Sequence, residues 1–542
     1  MRKNFDEPDG SKVLLRLEQI RKLNTFNKNF VNKDIYRILY RRDLYKIAFQ
    51  KLKDKEKSLP PAIGSETLNS FSKLRIDQLI ANIKDESFQP KLCSLRQFPK
   101  SNRHGQACSL GIQGIEEKVL QEVIRLILEA IYEPTFSNHS YGFRSAKGSR
   151  AALQEMSQKF AGVQFVIKSN LKGYCDNINH HKLITILRER IQDERFIRLI
   201  YKFLRAGYLC ENAKQVLMPL NVSPQGSIIS PLLCNIYMDK LDLFMIDLIK
   251  CYTLINSEQE KHSTIQILSG RLKNLKTQLN SLNSHFNIKK KKKLLKELRE
   301  VQIRLTETPS TVTKNTNIYY IRYVNDWIIA INASKKITKI LLQETQKFLV
   351  NELKLECFKE EISIIDISKT PAFFLGYKIS LQKQIKISKM TNPKSKKTYL
   401  EDTTVHKVKL SAPIDQIVEN LYRKGFCDHK GFPVSNKKLT SKDDYTIVLT
   451  INSFRRSLLE YYCMCDNIRV FRRIDYILRY SAAKTLADKH KTTCSKIFKK
   501  HSRNLHMKCD LKNDKVLKTC MPIFKNFASI KHVISTRDFF RI

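Results

Sequence analysis

The fold of this chain is decided by one stretch, Asn317-Ile-Tyr-Tyr-Ile-Arg-Tyr-Val-Asn-Asp-Trp-Ile-Ile-Ala-Ile331. Aromatic and β-branched residues run into the turn residues 323–326 and continue beyond them, which predicts two strands joined by a tight turn. The turn carries a single acid, Asp326, next to the amide Asn325. Hairpins of this kind occur in many sheets, so its meaning depends on the blocks that surround it in the chain.

Length and charge limit the classes of function. The chain has 542 residues and 42% hydrophobic content, which predicts two or three domains. It carries 98 Lys and Arg against 52 Asp and Glu, a net charge of +46 that indicates a polyanionic partner. Nucleic acid is the first candidate; a solvated basic surface and a membrane surface are the alternatives. No apolar run is long enough to span a bilayer, and the scattered cysteines are typical of free thiols in a reducing compartment.

Helical and strand patterns precede the hairpin in a definite order. Residues 12–55 and 68–83 have helical periodicity, residues 92–112 predict a pair of strands, and residues 116–132 predict a long helix. In the first helix, one apolar face is formed by Leu14, Leu17, Ile20 and Leu23. With the following Tyr141-Gly-Phe-Arg144, this series resembles the finger region of group II intron-encoded proteins, the reverse transcriptase and maturase family.

Three further blocks strengthen the resemblance. Phe165–His180 is similar to the strand, turn and helix in which that family carries its first palm carboxylate. Ser223–Asp242 resembles the Pro-Gln-Gly block beneath the nucleotide site, and Phe373–Tyr377 resembles the Phe-Leu-Gly turn beside the primer. The resemblance implies an α+β fold of the right-hand polymerase type, in which fingers and an antiparallel palm sheet are followed by an all-α thumb.

The palm site departs from the family at the residues that carry the chemistry. The family holds two metal ions on paired carboxylates, whereas alignment places Asn170 and Asn325 at ligand positions and leaves only Asp326. A carboxamide brings no charge, and Mg²⁺ in such sites is held by carboxylates together with substrate phosphates. Cys108 and Glu361 stand where the family has an Arg that meets the triphosphate and a Lys that donates a proton. We therefore expect no functional catalytic set, no structural metal and no cofactor, with Mg²⁺ needed only if polymerase activity persists.

An insertion, residues 255–316, separates the Pro-Gln-Gly block from the palm hairpin. Its leucines recur at alternating spacings of four and three residues in two runs. This heptad pattern predicts an antiparallel helical hairpin, with Lys289–Lys293 near its tip. The five lysines are either a solvated helix start or an RNA contact.

The C-terminal part predicts helices over about 411–425, 445–465 and 468–490. Its blocks, above all Ser481–His490, resemble the maturase domain, or domain X, which in the family serves as thumb and grips the folded intron. The last helix combines an apolar stripe with many cations, a pattern typical of a helix that packs on one side and meets phosphate on the other. The expected RNA-binding residues are Arg469, Arg472, Arg473, Arg479, Lys484, Lys489, His490 and Lys491. For His490, a role at the negative end of the helix dipole is an equal alternative.

These observations give a predicted domain order. It comprises a basic helical extension with the start of the fingers (1–88), fingers and palm (89–385) with the insertion, a basic connector (386–409), the maturase domain (410–505) and a basic tail without an endonuclease (506–542).

The predicted function is that of an intron RNA-binding maturase that assists group II intron splicing and has lost reverse transcriptase activity. The alternative is an active RNA-directed DNA polymerase that supports intron mobility, and a generic basic RNA chaperone is a third reading. The expected partner is a structured RNA, the group II intron, and not a membrane; a homodimer is left open. The abundance of Lys, Asn and Ile and an acidic start unlike a transit peptide indicate an organelle-encoded protein, of mitochondrion or plastid.

Overall fold

The computed structural model describes residues 11–54, 72–99, 107–145, 147–160, 162–169, 178–206, 208–210, 215–217, 227–280, 288–307, 317–355, 362–391, 398–511, 515–519 and 521. The chain separates into two compact units. Unit 1 comprises Met1–Gly148 and Ile167–Ile364, and unit 2 comprises Ser149–Val166 and Ile365–Ile542.

The described helices follow the predicted order closely. They are α1 (Ser11–Phe26), α2 (Arg42–Asp54), α3 (Lys73–Lys84), α4 (Ile115–Tyr132), α5 (Ser149–Lys159), α6 (His180–Arg188), α7 (Glu194–Arg205), α8 (Ser230–Asn280), α9 (Ile288–Glu307), α10 (Lys335–Asn351), α11 (Ile414–Arg423), α12 (Asp444–Tyr461), α13 (Phe471–Lys489) and α14 (Cys494–His501). Short 3-10 helices cover Tyr36–Tyr40 and Ile468–Val470.

The described strands form four sheets. The strands are β1 (Cys93–Pro99), β2 (Ala107–Ile112), β3 (Phe165–Ser169), β4 (Tyr208–Cys210), β5 (Gln215–Leu217), β6 (Ile318–Tyr323), β7 (Asp326–Ile331), β8 (Ile362–Asp366), β9 (Ala372–Phe374), β10 (Tyr377–Thr391), β11 (Thr398–Ser411), β12 (Met507–Leu511) and β13 (Lys515–Thr519). The sheet orders are β2-β1-β4-β5, β6-β7-β3-β8, β11-β10-β9 and β12-β13. The predicted finger strand pair is confirmed, because β1 and β2 are antiparallel with Cys93–Pro99 facing Ala107–Ile112.

The palm hairpin is confirmed as β6 and β7. The two strands pair antiparallel from Ile318 opposite Ile331 to Tyr323 opposite Asp326, which leaves a two-residue turn. All five residues of β7 after Asp326 are buried, and Trp327 is completely inaccessible to solvent. Strands that are buried along their whole length read as continuous apolar runs, which explains the Trp-Ile-Ile-Ala-Ile sequence.

The insertion forms the predicted helical pair, with one difference. Helix α8 has 51 residues and begins at Ser230, directly after the Pro-Gln-Gly block, so its first half belongs to the palm and its second half to the insertion. Helix α9 contacts it, and Leu275 and Val301 from the two heptad runs are buried. The lysine run 289–293 lies in the first turns of α9, and its predicted place near the tip of the hairpin stays a prediction, because residues 281–287 lie outside the described residues.

In unit 2, two segments that we expected to be irregular are folded. The segment 386–409, predicted as a connector, forms most of the long antiparallel pair β10 and β11, which runs from Lys378 opposite Ser411 to Thr391 opposite Thr398. The start of the predicted tail forms the hairpin of β12 and β13, which contacts α12. The predicted thumb helices are present as α11, α12 and α13. Gly425 adopts φ +78° after α11, a left-handed conformation that glycine readily supplies at the end of a helix.

Candidate palm site and RNA-binding helix

The turn of the palm hairpin has strained backbone. Val324, its first turn residue, has φ +59°. A β-branched residue in this region costs roughly 1–3 kcal/mol and persists only where its surroundings hold it in place. Two-residue hairpins with positive φ at the first turn position ordinarily use glycine there. The surroundings of Val324 must therefore supply the restraint.

Arg322 supplies part of that restraint from inside the protein. Its guanidinium is fully buried and donates to both carboxylate oxygens of Asp242 in α8, at 2.7 and 2.6 Å. The same group donates to the carbonyl oxygen of Val324 at 2.8 Å and to the amide oxygen of Asn235 at 3.1 Å. The hydroxyl of Tyr320 donates to Asp242 at 2.8 Å. A charge-assisted network thus holds the carbonyl of the strained residue.

The Tyr-Gly-Phe-Arg block supplies the rest. A Cβ on Gly142 would lie 2.6 Å from the backbone nitrogen of Val324, so only glycine allows the chain to pass this close to the turn. Asn235 donates to the carbonyl of Gly142 at 2.8 Å. Arg144 is buried and pairs with Glu133 at 2.9 Å, which fixes the loop after α4. The block that the sequence placed in the fingers therefore braces the palm turn.

The charged form of one acid next to this network, Asp239, is disfavoured by its surroundings. Burial, and then the nearby Asp242, raise the pKa of Asp239 to about 7. Its Oδ1 atom has no hydrogen-bond partner among the described residues. Asn235, Asp239 and Asp242 are spaced by four and three residues, so they lie on one face of α8.

The acid of the hairpin, Asp326, interacts electrostatically with a lysine of the adjacent strand β3. Burial raises the pKa of Asp326, and Lys168 in the neighbouring part of the sheet acts in the opposite direction. Burial likewise lowers the pKa of Lys168, against the effect of Asp326. Among the described residues of this turn and β3, one carboxylate lies with an amide and a lysine, a set with less negative charge than the paired carboxylates expected from the family. Among the described residues, no three His, Cys, Asp or Glu side chains are grouped so that they could hold a metal ion.

The side chains of three other positions at which the sequence departs from the family are not described. Asn170 and Glu361 lie outside the described residues, and Cys108 is described only as part of strand β2. Sequence reasoning missed Lys168, although a lysine two residues before the aligned ligand position was a visible signal.

Helix α13 carries most of the predicted RNA-binding residues. Its predicted apolar stripe is confirmed, since Phe471, Ile474, Ile477, Leu478 and Leu486 are buried. Beneath the stripe lies a buried acid, Asp475, which pairs with Arg455 of α12 at 2.5 Å and with Arg479 at 3.6 Å. Burial raises the pKa of Asp475, against the effect of the two arginines. This ion-pair cluster helps to join α12 to α13.

The structure divides the predicted cations into two groups. Arg469, Arg472, Arg473 and Lys491 are exposed. We call them the open cations. Arg473 also reaches the carbonyl of Lys430 at 3.5 Å. Exposed guanidinium and ammonium groups keep their donors available for phosphate oxygens.

The other predicted cations have protein partners. Arg479 is mostly buried against Asp475, and Lys484, although exposed, donates to the carbonyl of Pro433 at 2.8 Å. Lys489 donates to Asp444 at 2.7 Å and to the carbonyl of Lys442 at 2.8 Å, and the Nε2 atom of His490 lies 2.7 Å from the same Asp444. An RNA role for all eight residues stays a prediction. The contact of His490 with Asp444 is consistent with the alternative, in which His490 has a structural role at the end of the helix.

Comparisons with known proteins agree with both regions. Residues 99–301 match the family profile "Reverse transcriptase (RNA-dependent DNA polymerase)", and residues 405–536 match "Type II intron maturase". The chain is 33% identical to the group II intron-encoded protein LtrA of Lactococcus lactis subsp. cremoris, over 95% of this chain and 84% of that protein. It is 30% identical to the COX1/OXI3 intron 1 protein of Saccharomyces cerevisiae, over 93% of this chain and 58% of that protein.

A more distant relative is the mitochondrial protein ymf11 of Marchantia polymorpha, 25% identical over 73% of this chain and 57% of that protein. In the described part of the chain, no helix is long and apolar enough to cross a membrane. The sequence blocks and the palm hairpin indicate the same family as the relative from Lactococcus lactis, which matches over most of its length. The chain belongs to the family of group II intron-encoded proteins, in which a reverse transcriptase domain is followed by a type II intron maturase domain.

Proposed function

We propose that this protein is a maturase that binds a folded group II intron RNA and stabilises the form of the RNA that splices. The single observation that carries the proposal is the maturase domain, whose helix α13 buries one side and exposes Arg472 and Arg473 on the other, with Arg469 just before the helix and Lys491 just after it. These cations neutralise phosphates and so release counterions from the RNA. The free energy of counterion release is a large part of the affinity of proteins for nucleic acids. The protein supplies counter-charge and a scaffold, and the RNA supplies the reacting groups.

We further propose that the palm no longer copies RNA. Its hairpin keeps Asp326 but has an amide at Asn325, and Lys168 of the adjacent strand β3 acts electrostatically on the remaining acid. An ammonium group next to the carboxylate already compensates its charge and disfavours a second cation there. The palm then serves as a platform for RNA. Mg²⁺ has a role in the protein only under the alternative, an active polymerase that supports intron mobility.

Salt-dependent RNA binding tests the first proposal. Arg472→Ala with Arg473→Ala is expected to reduce the slope of log K against log salt by about 1.4–1.8, the contribution of two phosphates. Lys489→Ala is the comparison variant, because its ammonium is already held by Asp444 and its loss should change the slope less than the loss of the two arginines. Equal slopes for the double variant and the wild type would remove α13 as the grip.

Primer extension tests the second proposal. Purified protein with an RNA template, a DNA primer and dNTPs should give no product with Mg²⁺ or Mn²⁺. A product that depends on dNTPs and disappears in Asp326→Ala would establish the polymerase alternative. Binding of unrelated structured RNAs with equal affinity at physiological salt would instead favour a generic RNA chaperone.

The location belongs to the same proposal. The Marchantia relative is named as a mitochondrial protein, and the Lys-, Asn- and Ile-rich composition supports an organelle. We propose a mitochondrion or a plastid, and fractionation with organelle markers tests this.

A further inference from the structure

A row of aromatic side chains lies beside the cations of α13. Tyr476 and Tyr480 are four residues apart, so they share one face of the helix, and their ring centroids are 4.5 Å apart. The ring of Tyr480 meets Phe498 of α14 edge-on, with centroids 5.3 Å apart. We call Tyr476, Tyr480 and Phe498 the aromatic row.

The row is fixed on one side and open on the other. Tyr476 is 43% exposed, and Tyr480 and Phe498 are half-buried. The contacts between the rings restrict their rotation, so little side-chain entropy remains to be lost when a ligand stacks on them. Single exposed aromatic residues are ordinary on protein surfaces, but here Tyr476 and Phe498 both contact Tyr480, with ring planes inclined to it by 43° and 68°, so the three rings form one continuous aromatic patch.

Cations stand at both ends of the row on the same helical face. Arg472 and Arg473 precede Tyr476 by four and three residues, and Lys484 follows Tyr480 by four. The rise of α13 places Arg472 and Lys484 about 18 Å apart along its axis. The carbonyl of Pro433 holds the ammonium of Lys484 in place, yet this side chain remains exposed.

We propose that the aromatic row stacks unpaired bases of the bound RNA while the flanking cations hold phosphates of the same strand. This inference rests on the proposed function and adds the ligand class, a single-stranded loop or bulge. Aromatic rings accept any base, because each base has a π-face, and a basic groove beside them follows the backbone. Bases inside an A-form helix are stacked and paired, so a duplex cannot use the row.

The first experiment separates bases from phosphates. The probes are an unstructured RNA of about ten nucleotides, the same sequence as a duplex, and an abasic strand of equal length that keeps every phosphate. Wild-type protein should bind the single strand about tenfold more tightly than the abasic strand, the effect of one stacked base. Equal affinity for the two strands would overturn the proposal.

Variants locate the effect. Tyr476→Leu keeps an apolar side chain but loses the ring, so it should weaken single-strand binding about tenfold and leave both the salt slope and abasic-strand binding unchanged. Tyr422→Leu in α11 is the matched control, because Tyr422 is 49% exposed and lies away from α13 in the chain. Circular dichroism melting checks that both variants are folded.

A spectroscopic probe adds a direct readout. The chain has one tryptophan, Trp327, which is fully buried in the palm sheet. Tyr476→Trp therefore adds the only exposed indole, whose fluorescence should be quenched by the single strand and not by the abasic strand.

The outcomes distinguish the two proposals. If no RNA binds, or if Arg472→Ala with Arg473→Ala changes nothing, the proposed function fails. If that double variant weakens binding while Tyr476→Leu does not, only the aromatic row fails as a base platform. If Tyr476→Leu instead changes the sedimentation coefficient of the protein at unchanged RNA affinity, the row is a protein contact and the inference is overturned.

Discussion

The buried pair of Arg322 and Asp242 should be the most sensitive point of the palm. Both side chains are completely inaccessible to solvent, and Asp242 accepts from Arg322 at 2.7 and 2.6 Å and from Tyr320 at 2.8 Å. In Asp242→Asn, one accepting oxygen becomes a donor that faces the guanidinium. The variant therefore leaves a positive charge buried without its counter-charge.

The expected loss is about 3–5 kcal/mol of the free energy of unfolding, the cost of removing one partner from a buried ion pair. A typical domain is stable by about 5–15 kcal/mol, so the loss is a large fraction of the total. The matched control is Asp247→Asn in the same helix. Asp247 forms an exposed pair with Lys250, so its loss should cost less than about 0.5 kcal/mol.

Trp327 provides the assay. It is the single tryptophan, it is buried, and it faces Arg322 across the hairpin. Urea unfolding followed by its fluorescence thus reports on this sheet. A change below about 1 kcal/mol in Asp242→Asn, or equal changes in the two variants, would refute the view that this pair holds the turn.

Three further predictions concern the same framework. The folded state binds the Asp239 proton more tightly than the unfolded state, so the free energy of unfolding of the wild type should fall as the pH rises from about 4 to about 7. Asp239→Asn should therefore be more stable than the wild type at pH 8, by up to about 4 kcal/mol, but not at pH 4. Urea midpoints at the two pH values measure the difference. Gly142→Ala should lower the free energy of unfolding by about 1–3 kcal/mol, because the added Cβ would clash with Val324 in the palm turn. Gly148→Ala is the control, since a Cβ there would have no atom within 4 Å and should cause no clash. The same urea assay compares the two variants. Thr485→Val leaves a buried backbone N–H without its acceptor and should cost about 1–3 kcal/mol in circular dichroism melts, whereas Thr450→Val at an exposed position should be near neutral.

The palm hairpin was predictable because its signal is local. Alternation of residue types and a two-residue spacing determine the strands, and the structure confirms both. The strain at Val324 was not predictable, because its restraints come from Gly142 and Asp242, which are distant in the chain. The sequence therefore located the turn but not the forces that hold it.

Helix α1 shows how a polar contact can change a predicted face. We predicted Leu14, Leu17, Ile20 and Leu23 on one apolar face, but Leu14 and Leu23 are exposed, and Ile20 is buried together with Val13 and Asn24. Asn24 is buried because it exchanges hydrogen bonds with Asn32 and accepts from Arg190 at 2.5 Å. Periodicity counts apolar residues only, so it could not include a buried amide.

The segment predicted as a connector shows a signal that composition concealed. Its Lys and Ser content is typical of a linker, yet Ile385 and Ile387, and later Val408 and Leu410, alternate with polar residues. Such alternation predicts half-buried strands, and Val408 and Leu410 are indeed buried in β11. For two other cations of α13, by contrast, no partner could be predicted, because Lys484 and Lys489 bond to Pro433 and Asp444, which are distant in the chain.

In the palm turn, the residues that hold the backbone in shape differ from the residues that stand at the metal-ligand positions. Arg322 and Asp242 hold the turn through buried hydrogen bonds, and Gly142 packs against it. Asn325 and Asp326 lie in the hairpin itself, and Lys168 lies in the adjacent strand β3. The hydrogen bonds of Arg322 reach the turn through the main-chain carbonyl of Val324 and not through the carboxylate of Asp326, so replacing an acid by an amide in the turn leaves this network intact. An exchange of this kind costs the fold little, because the buried network is left complete. Under the proposed function, this independence lets a palm keep its strained turn when metal-binding acids are replaced, and it lets a protein that has lost copying still hold RNA.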